Sequence, residues 1–235
     1  MSVSTVAPVE ARLDQRLGDY WLERVRQHTI DSYVGVELLK FPEDLRAYDH
    51  VLWDTGANVV VEIGTKSGGS ALWFRDRLTA LARYRPNLPA PLVVSLDLDN
   101  GSARDNIARV DPAYEATIRL LDGDVRDDAA IAVVEREIPR GSRCLVVEDS
   151  AHVYDTTLAA LRNFSHLVAS DCCFVVEDGC VDIEEMRLDE NWPRGVIQAI
   201  DDWLATEMGS RFARRRDLER YLLTCHPRGF LQATS

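Results

Sequence analysis

Apolar and polar positions alternate between two periods along most of this chain. Val59–Ile63 is a β-branched run that stops at a glycine-rich turn, and Ala71–Leu81 follows with Leu72, Trp73, Leu78 and Leu81 at helical spacing. The same strand-then-helix unit recurs. Strands are predicted at Leu92–Leu96, Ile118–Leu121, Arg143–Val147 and Cys172–Val176, and helices at Ser102–Arg109, Asp127–Ile138 and Tyr154–Val168. Near-continuous apolar strands separated by helices predict a parallel sheet covered on both faces, an α/β fold. Towards the C-terminus the pattern changes. Tyr221–Thr224 and Phe230–Leu231 flank His226-Pro227-Arg228-Gly229 and predict an antiparallel hairpin. Val9–Gly56 is mostly helical and predicts a cap at the sheet edge. With no repeat or linker, one domain is expected, with residues 1–56 as cap and 57–235 as core.

Composition narrows the partners. The chain has 235 residues, 46% hydrophobic and 28% charged, with a net charge of −12. So acidic a surface repels phosphate backbones, and nucleic acid is not expected as a partner. The basic run Arg211, Arg214, Arg215, Arg216 is the local exception and fits a solvated helix end or loop. No apolar stretch approaches bilayer length, and Met1–Pro8 has no basic or apolar leader character. Cys144, Cys172, Cys173, Cys180 and Cys225 have no zinc spacing and are expected as buried free thiols in a cytoplasmic protein.

The chemistry lies at the strand ends. In an open α/β sheet ligands bind beyond the carboxyl ends of the strands, and here those ends carry Glu62, Asp97, Asp124, Asp149, and Glu177 with Asp178. Each acid alone is as well explained as a helix cap; five together are not. The turn Gly64-Thr65-Lys66-Ser67-Gly68-Gly69-Ser70 is GxxxGG rather than the dinucleotide GxGxxG. Gly64 allows a tight turn, Gly68 and Gly69 allow a ligand close to the backbone, and Glu62 can orient the turn or meet an ammonium. Gly64, Thr65, Lys66, Gly68 and Ser70 are therefore candidates for cofactor contact. Asp97, with Asp99 as a rival, suits ribose hydroxyls, and Asp124 suits an adenine amino group. Asp149, Glu177 and Asp178 would meet at one rim, where three carboxylates repel unless a cation joins them; oxygen ligands suit Mg²⁺ or Ca²⁺. His152 stands three residues after Asp149 and is the candidate general base, with a capping role as the competing reading. His28, His50, His166 and His226 lack such neighbours in the sequence and are expected to be structural.

These motifs resemble a known family. Val60–Arg75, Lys40-x-Pro42-x-Asp44, Glu148-Asp149-Ser150-Ala151-His152, Val175–Asp178 and Leu223–Leu231 are together similar to the cephalosporin hydroxylase family, over about Tyr33–Leu231. The resemblance implies a Rossmann-like class I methyltransferase fold, a mostly parallel seven-stranded sheet ending in an antiparallel hairpin. It implies S-adenosylmethionine contacts by Glu62, Gly64, Ser70, Asp97 and Asp124, with Asp149 at the same pocket, and Mg²⁺ held by Asp149, Glu177 and Asp178. Catalysis would fall to His152 and Asp149. Members of the family act in antibiotic biosynthesis or methylate deoxysugars, so the expected reaction is Mg²⁺-dependent O-methylation of a small secondary metabolite by a homo-oligomer. The alternatives are a hydroxylase component, a nicotinamide-dependent oxidoreductase, or a non-catalytic partner of the same fold. One departure concerns the fourth strand, which carries Glu148-Asp149 where members have paired aspartates. Strand alternation then turns Glu148 away if Asp149 faces the pocket.

Overall fold

A computed structural model describes residues 15–234. After helix α1 (Leu17–His28), a short antiparallel hairpin of β1 (Ser32–Tyr33) and β2 (Val36–Glu37) leads into α2 (Pro42–Thr55). Proline at the first turn starts α2, and Gly56 in the left-handed region closes it. The core then alternates: β3 (Val59–Ile63), α3 (Gly69–Tyr84), β4 (Leu92–Asp97), α4 (Gly101–Val110), β5 (Ile118–Asp122), α5 (Asp128–Glu137), β6 (Cys144–Glu148), α6 (Tyr154–Phe164), β7 (Cys173–Val176) and α7 (Val196–Leu204). Two short strands, β8 (Phe212–Arg214) and β9 (Phe230–Ala233), finish the sheet. The part of the predicted cap before residue 15 lies outside the described residues.

The seven-stranded sheet has the order β5-β4-β3-β6-β7-β9-β8, parallel except for β9, which runs antiparallel to both β7 and β8. The fold class is the one expected. Side chains alternate across each strand, so Val60, Leu145 and Val147 pack with Tyr48, Leu52 and Phe74 on one face. Val59, Val61 and Val146 pack with Phe164, Ile200 and Trp203 on the other. The chain winds outward from β3 through β4 to β5, then returns to place β6 on β3's other side. The switch point between β3 and β6 is where such sheets open a crevice.

The terminal hairpin differs from expectation. β9 pairs with Phe212–Arg214, and Tyr221–Thr224 forms no strand. Leu222 has φ +68, a left-handed conformation closed to a strand, and Asp44 on α2 takes the Thr224 hydroxyl and the Cys225 N–H. The basic run fits the expected helix end and loop except at Arg214, which closes the edge strand β8: Arg211 ends a 3-10 turn and Arg216 begins another, Arg214 pairs with Asp201, and Arg215 with Asp217 and Gln232.

Candidate active site

The glycine turn is built by protein–protein closeness. Gly64 has φ +100, and a methyl group there would overlap the carbonyl oxygen of Asp149, so only glycine lets β3 turn against the end of β6. Gly68 and Gly69 are also crowded by protein, although Gly69 lines the cavity. A Cβ on Gly68 would meet Ile107 at 2.7 Å, and one on Gly69 would overlap the Glu37 carbonyl. What approaches these two glycines is α4 and the β2 strand; Gly68 does not line the cavity beyond the turn. Asp97 at the end of β4 fixes the turn, its Oδ2 accepting the N–H groups of Thr65 and Lys66 at 2.8 Å each. Lys66 is left-handed at φ +48.

A cavity of about 570 Å³ opens above the switch point, lined among others by Gly64, Thr65, Lys66, Ser70, Asp97 and Asp124 at one end. Asp149, His152, Asp178 and Trp192 line the other. Asp99 lines it too, with one oxygen on Gly101 N–H at 2.8 Å, so the ribose position keeps two candidate acids. Asp124 is two residues beyond β5 and is bridged by the Arg126 guanidinium, which holds its carboxyl down at about 2.

Glu62 and Glu177 sit behind the cavity wall instead. Glu62 is fully buried; Ser95 donates to its Oε2 at 2.6 Å, while Oε1 has no hydrogen-bond partner. Burial pushes its carboxyl up to about 7, against the pull of the Lys40 charge and neighbouring serine hydroxyls. An orphaned buried acceptor next to the turn, Ser70 at the cavity face, and acids at the ends of β4 and β5 suit a ligand with an ammonium, a ribose and an adenine. The residues present therefore fit S-adenosylmethionine.

The predicted carboxylate triad is brought together, but around a lysine. The Lys40 ammonium, 1% exposed, lies 2.7 Å from Asp149 Oδ2 and 2.7 Å from both Glu177 oxygens. Tyr48 donates to Glu177 Oε1 at 2.5 Å. Burial alone would lower the Lys40 pKa; the charges of Asp149 and Glu177 reverse this and raise it. His226, expected to be structural for want of neighbours, is buried 3.7 Å from both Asp44 and Glu177 and accepts the Asp178 N–H at 3.2 Å. Lys40 takes both oxygens of Glu177 and one of Asp149, and His226 faces Asp44; Asp149 and Asp178 are the pair that line the cavity. His152 Nε2 stands 3.3 Å from Asp178 and 3.8 Å from Asp149. Ligand atoms of these three lie within 4.8 Å of one another. Two cavity-facing carboxylates at that spacing, Asp149 with only its Oδ2 on Lys40, fit a hard divalent cation such as Mg²⁺, with Glu177 supporting from behind rather than facing the cavity.

His152 and Asp178 are left-handed at φ +52 and +56, the kind of backbone strain that tightly held sites sustain. Burial would lower the His152 pKa, and the carboxylates of Asp178 and Asp149 raise it. Glu148 faces away from the cavity, as strand alternation requires, and accepts the Ser150 hydroxyl at 2.5 Å. Trp192 donates its indole N–H to the His152 carbonyl at 3.3 Å, closing the cavity's outer wall. Sequence reasoning assigned no role to Lys40, Tyr48 or His226. The motif Lys40-x-Pro42-x-Asp44 was the available sign, because it places a lysine and an aspartate around the start of one helix.

The family model described as rhamnosyl O-methyltransferase/CmcI matches residues 25–234. The chain belongs to this family. Curated relatives include the rhamnosyl O-methyltransferase of Mycobacterium tuberculosis, 27% identical over 154 residues, which are 64% of this chain and 57% of the relative. That of Mycobacterium leprae is 24% identical over 152 residues, 63% and 59%. The match thus spans less than two thirds of those relatives' length. Among solved structures, a CmcI structure with Mg and S-adenosylmethionine has a TM-score of 0.65 at 19% identity, covering 98% of this chain and 89% of the other. The MycE methyltransferase of the mycinamycin pathway, in complex with Mg, S-adenosylhomocysteine and mycinamycin VI, has a TM-score of 0.51 at 17% identity, covering 80% and 49%. These likenesses show that this member of the rhamnosyl O-methyltransferase/CmcI family has the class I methyltransferase fold. Among the described residues no helix is long and apolar enough to cross a membrane.

Proposed function

We propose that this family member is an S-adenosylmethionine-dependent, Mg²⁺-dependent O-methyltransferase acting on a hydroxyl of a sugar or a sugar-bearing metabolite. One observation carries the reading. A single cavity joins the glycine turn and Asp97 to the Asp149–His152–Asp178 cluster. A methyl donor and a deprotonation site would share it.

Gly64, Thr65, Lys66, Ser70, Asp97 and Asp124 would line the donor half, with the Glu62 acceptor beneath. Asp149 and Asp178 would hold the cation, Lys40 and Tyr48 keeping Glu177 in place behind them. Bound S-adenosylmethionine supplies an activated methyl group, and bound Mg²⁺ supplies a positive field for adjacent acceptor oxygens. The chain supplies alignment and a proton acceptor: the acceptor hydroxyl gives its proton to His152 Nε2 as the oxygen–carbon bond forms and the sulfur–carbon bond breaks. Trp192 offers a flat apolar face to a sugar ring on the outer wall. A sugar acceptor is supported by the rhamnosyl name of the mycobacterial relatives.

The test is calorimetric titration with S-adenosylmethionine and its demethylated product, with and without Mg²⁺, and with NADH in parallel. Micromolar binding of the first two is expected. Binding of NADH with neither of the others would put an oxidoreductase in its place.

A further inference from the structure

Asp178 belongs to two clusters. On one side it faces Asp149 and His152. On the other, its carboxylate lies with the thiols of Cys180 and Cys225, all within 4.8 Å of one another. Both cysteines are free and buried. They are 45 positions apart in the chain and are held together by backbone, Cys180 N–H donating to the Cys225 carbonyl at 3.1 Å. The Cys225 end is fixed further by Asp44, which accepts its N–H at 2.9 Å. Two sulfurs and one carboxylate oxygen, preset by backbone, form a three-ligand set in which only Asp178 also lines the cavity. That set selects a thiophilic ion, whereas the oxygen side of Asp178 selects a hard one.

We propose that Cys180, Cys225 and Asp178 form a second cation site, specific for a thiophilic divalent ion such as Zn²⁺, and that its occupation withdraws Asp178 from the Asp149 side. Binding releases two thiol protons to solvent as two metal–sulfur bonds form, with no change of oxidation state. Thiol capture of zinc stands on its own geometry; the competition rests on Asp178 being a Mg²⁺ ligand.

The experiment uses the full chain, reduced and freed of metal by chelation. Zinc is added, unbound ion is removed, and the retained metal is counted for the wild type, Cys180→Ser and Cys225→Ser. Co²⁺ serves as a parallel spectroscopic probe. One zinc per chain is expected, with a sulfur-to-cobalt charge-transfer band. Each serine variant should lose both, with zinc affinity at least ten-fold weaker and the wild-type far-UV circular dichroism spectrum retained. Equal zinc retention in the serine variants, or a wild-type mass lower by two hydrogens from a Cys180–Cys225 disulfide in the reduced preparation, would overturn the site. Mg²⁺ titration with and without zinc tests the sharing, which predicts at least ten-fold weaker Mg²⁺ binding in zinc-loaded wild type only. Intact Mg²⁺ binding beside thiol-bound zinc overturns the sharing. Absence of Mg²⁺ binding from zinc-free protein overturns the oxygen site and leaves the thiol site standing.

Discussion

The Lys40 ammonium is 2.7 Å from both carboxylate oxygens of Glu177, and the two side chains are 1% and 2% exposed. Removing one partner of such a pair strands the other charge in the interior, at a cost of about 3–5 kcal/mol. Lys40→Met is therefore expected to lower unfolding stability by about that much. The double variant Lys40→Met/Glu177→Gln should recover a large part of the loss. Denaturant unfolding of the two single variants and the double gives the coupling energy directly. Additive losses would mean that the pair does not act as a unit.

The same pair sets an order among the carboxylates for Mg²⁺. Asp149, with one oxygen on Lys40, and Asp178 open to the cavity, whereas Glu177 has both oxygens on Lys40 and one on Tyr48. Asp149→Asn and Asp178→Asn should each weaken Mg²⁺ binding at least ten-fold, measured by calorimetry, and abolish most methyl transfer. Glu177→Gln should weaken it less. If Glu177→Gln has the largest effect, Lys40 releases Glu177 when the ion enters.

Gly64 is where two strands depend on one missing methyl group. At φ +100, with the Asp149 carbonyl in the space of a Cβ, Gly64→Ala meets both backbone strain and a backbone clash. Gly141 has φ +82 with nothing within 4 Å of its Cβ position, so Gly141→Ala meets the strain alone, roughly 1–2 kcal/mol. Gly64→Ala should be clearly less stable than Gly141→Ala in thermal melts, and it alone should lose S-adenosylmethionine affinity. Equal melting temperatures would show that the β3–β6 contact has slack.

These cases also mark how far the sequence speaks. Mostly apolar runs such as Val59–Val61 and Cys144–Val147 announce buried parallel strands, because no alternating polar face competes. Acids just beyond them announce the rim of a crevice. Phe212–Arg214 gave no such signal, since a three-residue edge strand among arginines has almost no apolar pattern to show. Tyr221–Thr224 looked like the partner of Phe230–Leu231, but the hydrogen bonds that divert this segment come from Asp44, about 180 positions away. Lys40 and His226 were illegible for the same reason: what makes each one part of the site is Glu177, a carboxylate just beyond β7 and far from both in sequence. Periodicity reports which face of an element is buried, not which polar groups meet there.

Glu62 gives a pH dependence whose sign runs against the usual carboxylate. Burial raises its carboxyl from 4.5 to about 7, so between those values the folded chain keeps a proton that the unfolded chain has already released. Stability must then fall as pH rises through that window and level off above it. The span corresponds to roughly 3 kcal/mol. Glu62→Gln keeps the shape of the protonated side chain without the titration, so its stability relative to wild type should grow from near zero at about pH 4.5 to roughly 3 kcal/mol above about pH 7. Urea midpoints of both proteins across that range measure the difference. Parallel curves would show that Glu62 stays ionised when buried, and that the Lys40 charge outweighs its loss of solvation.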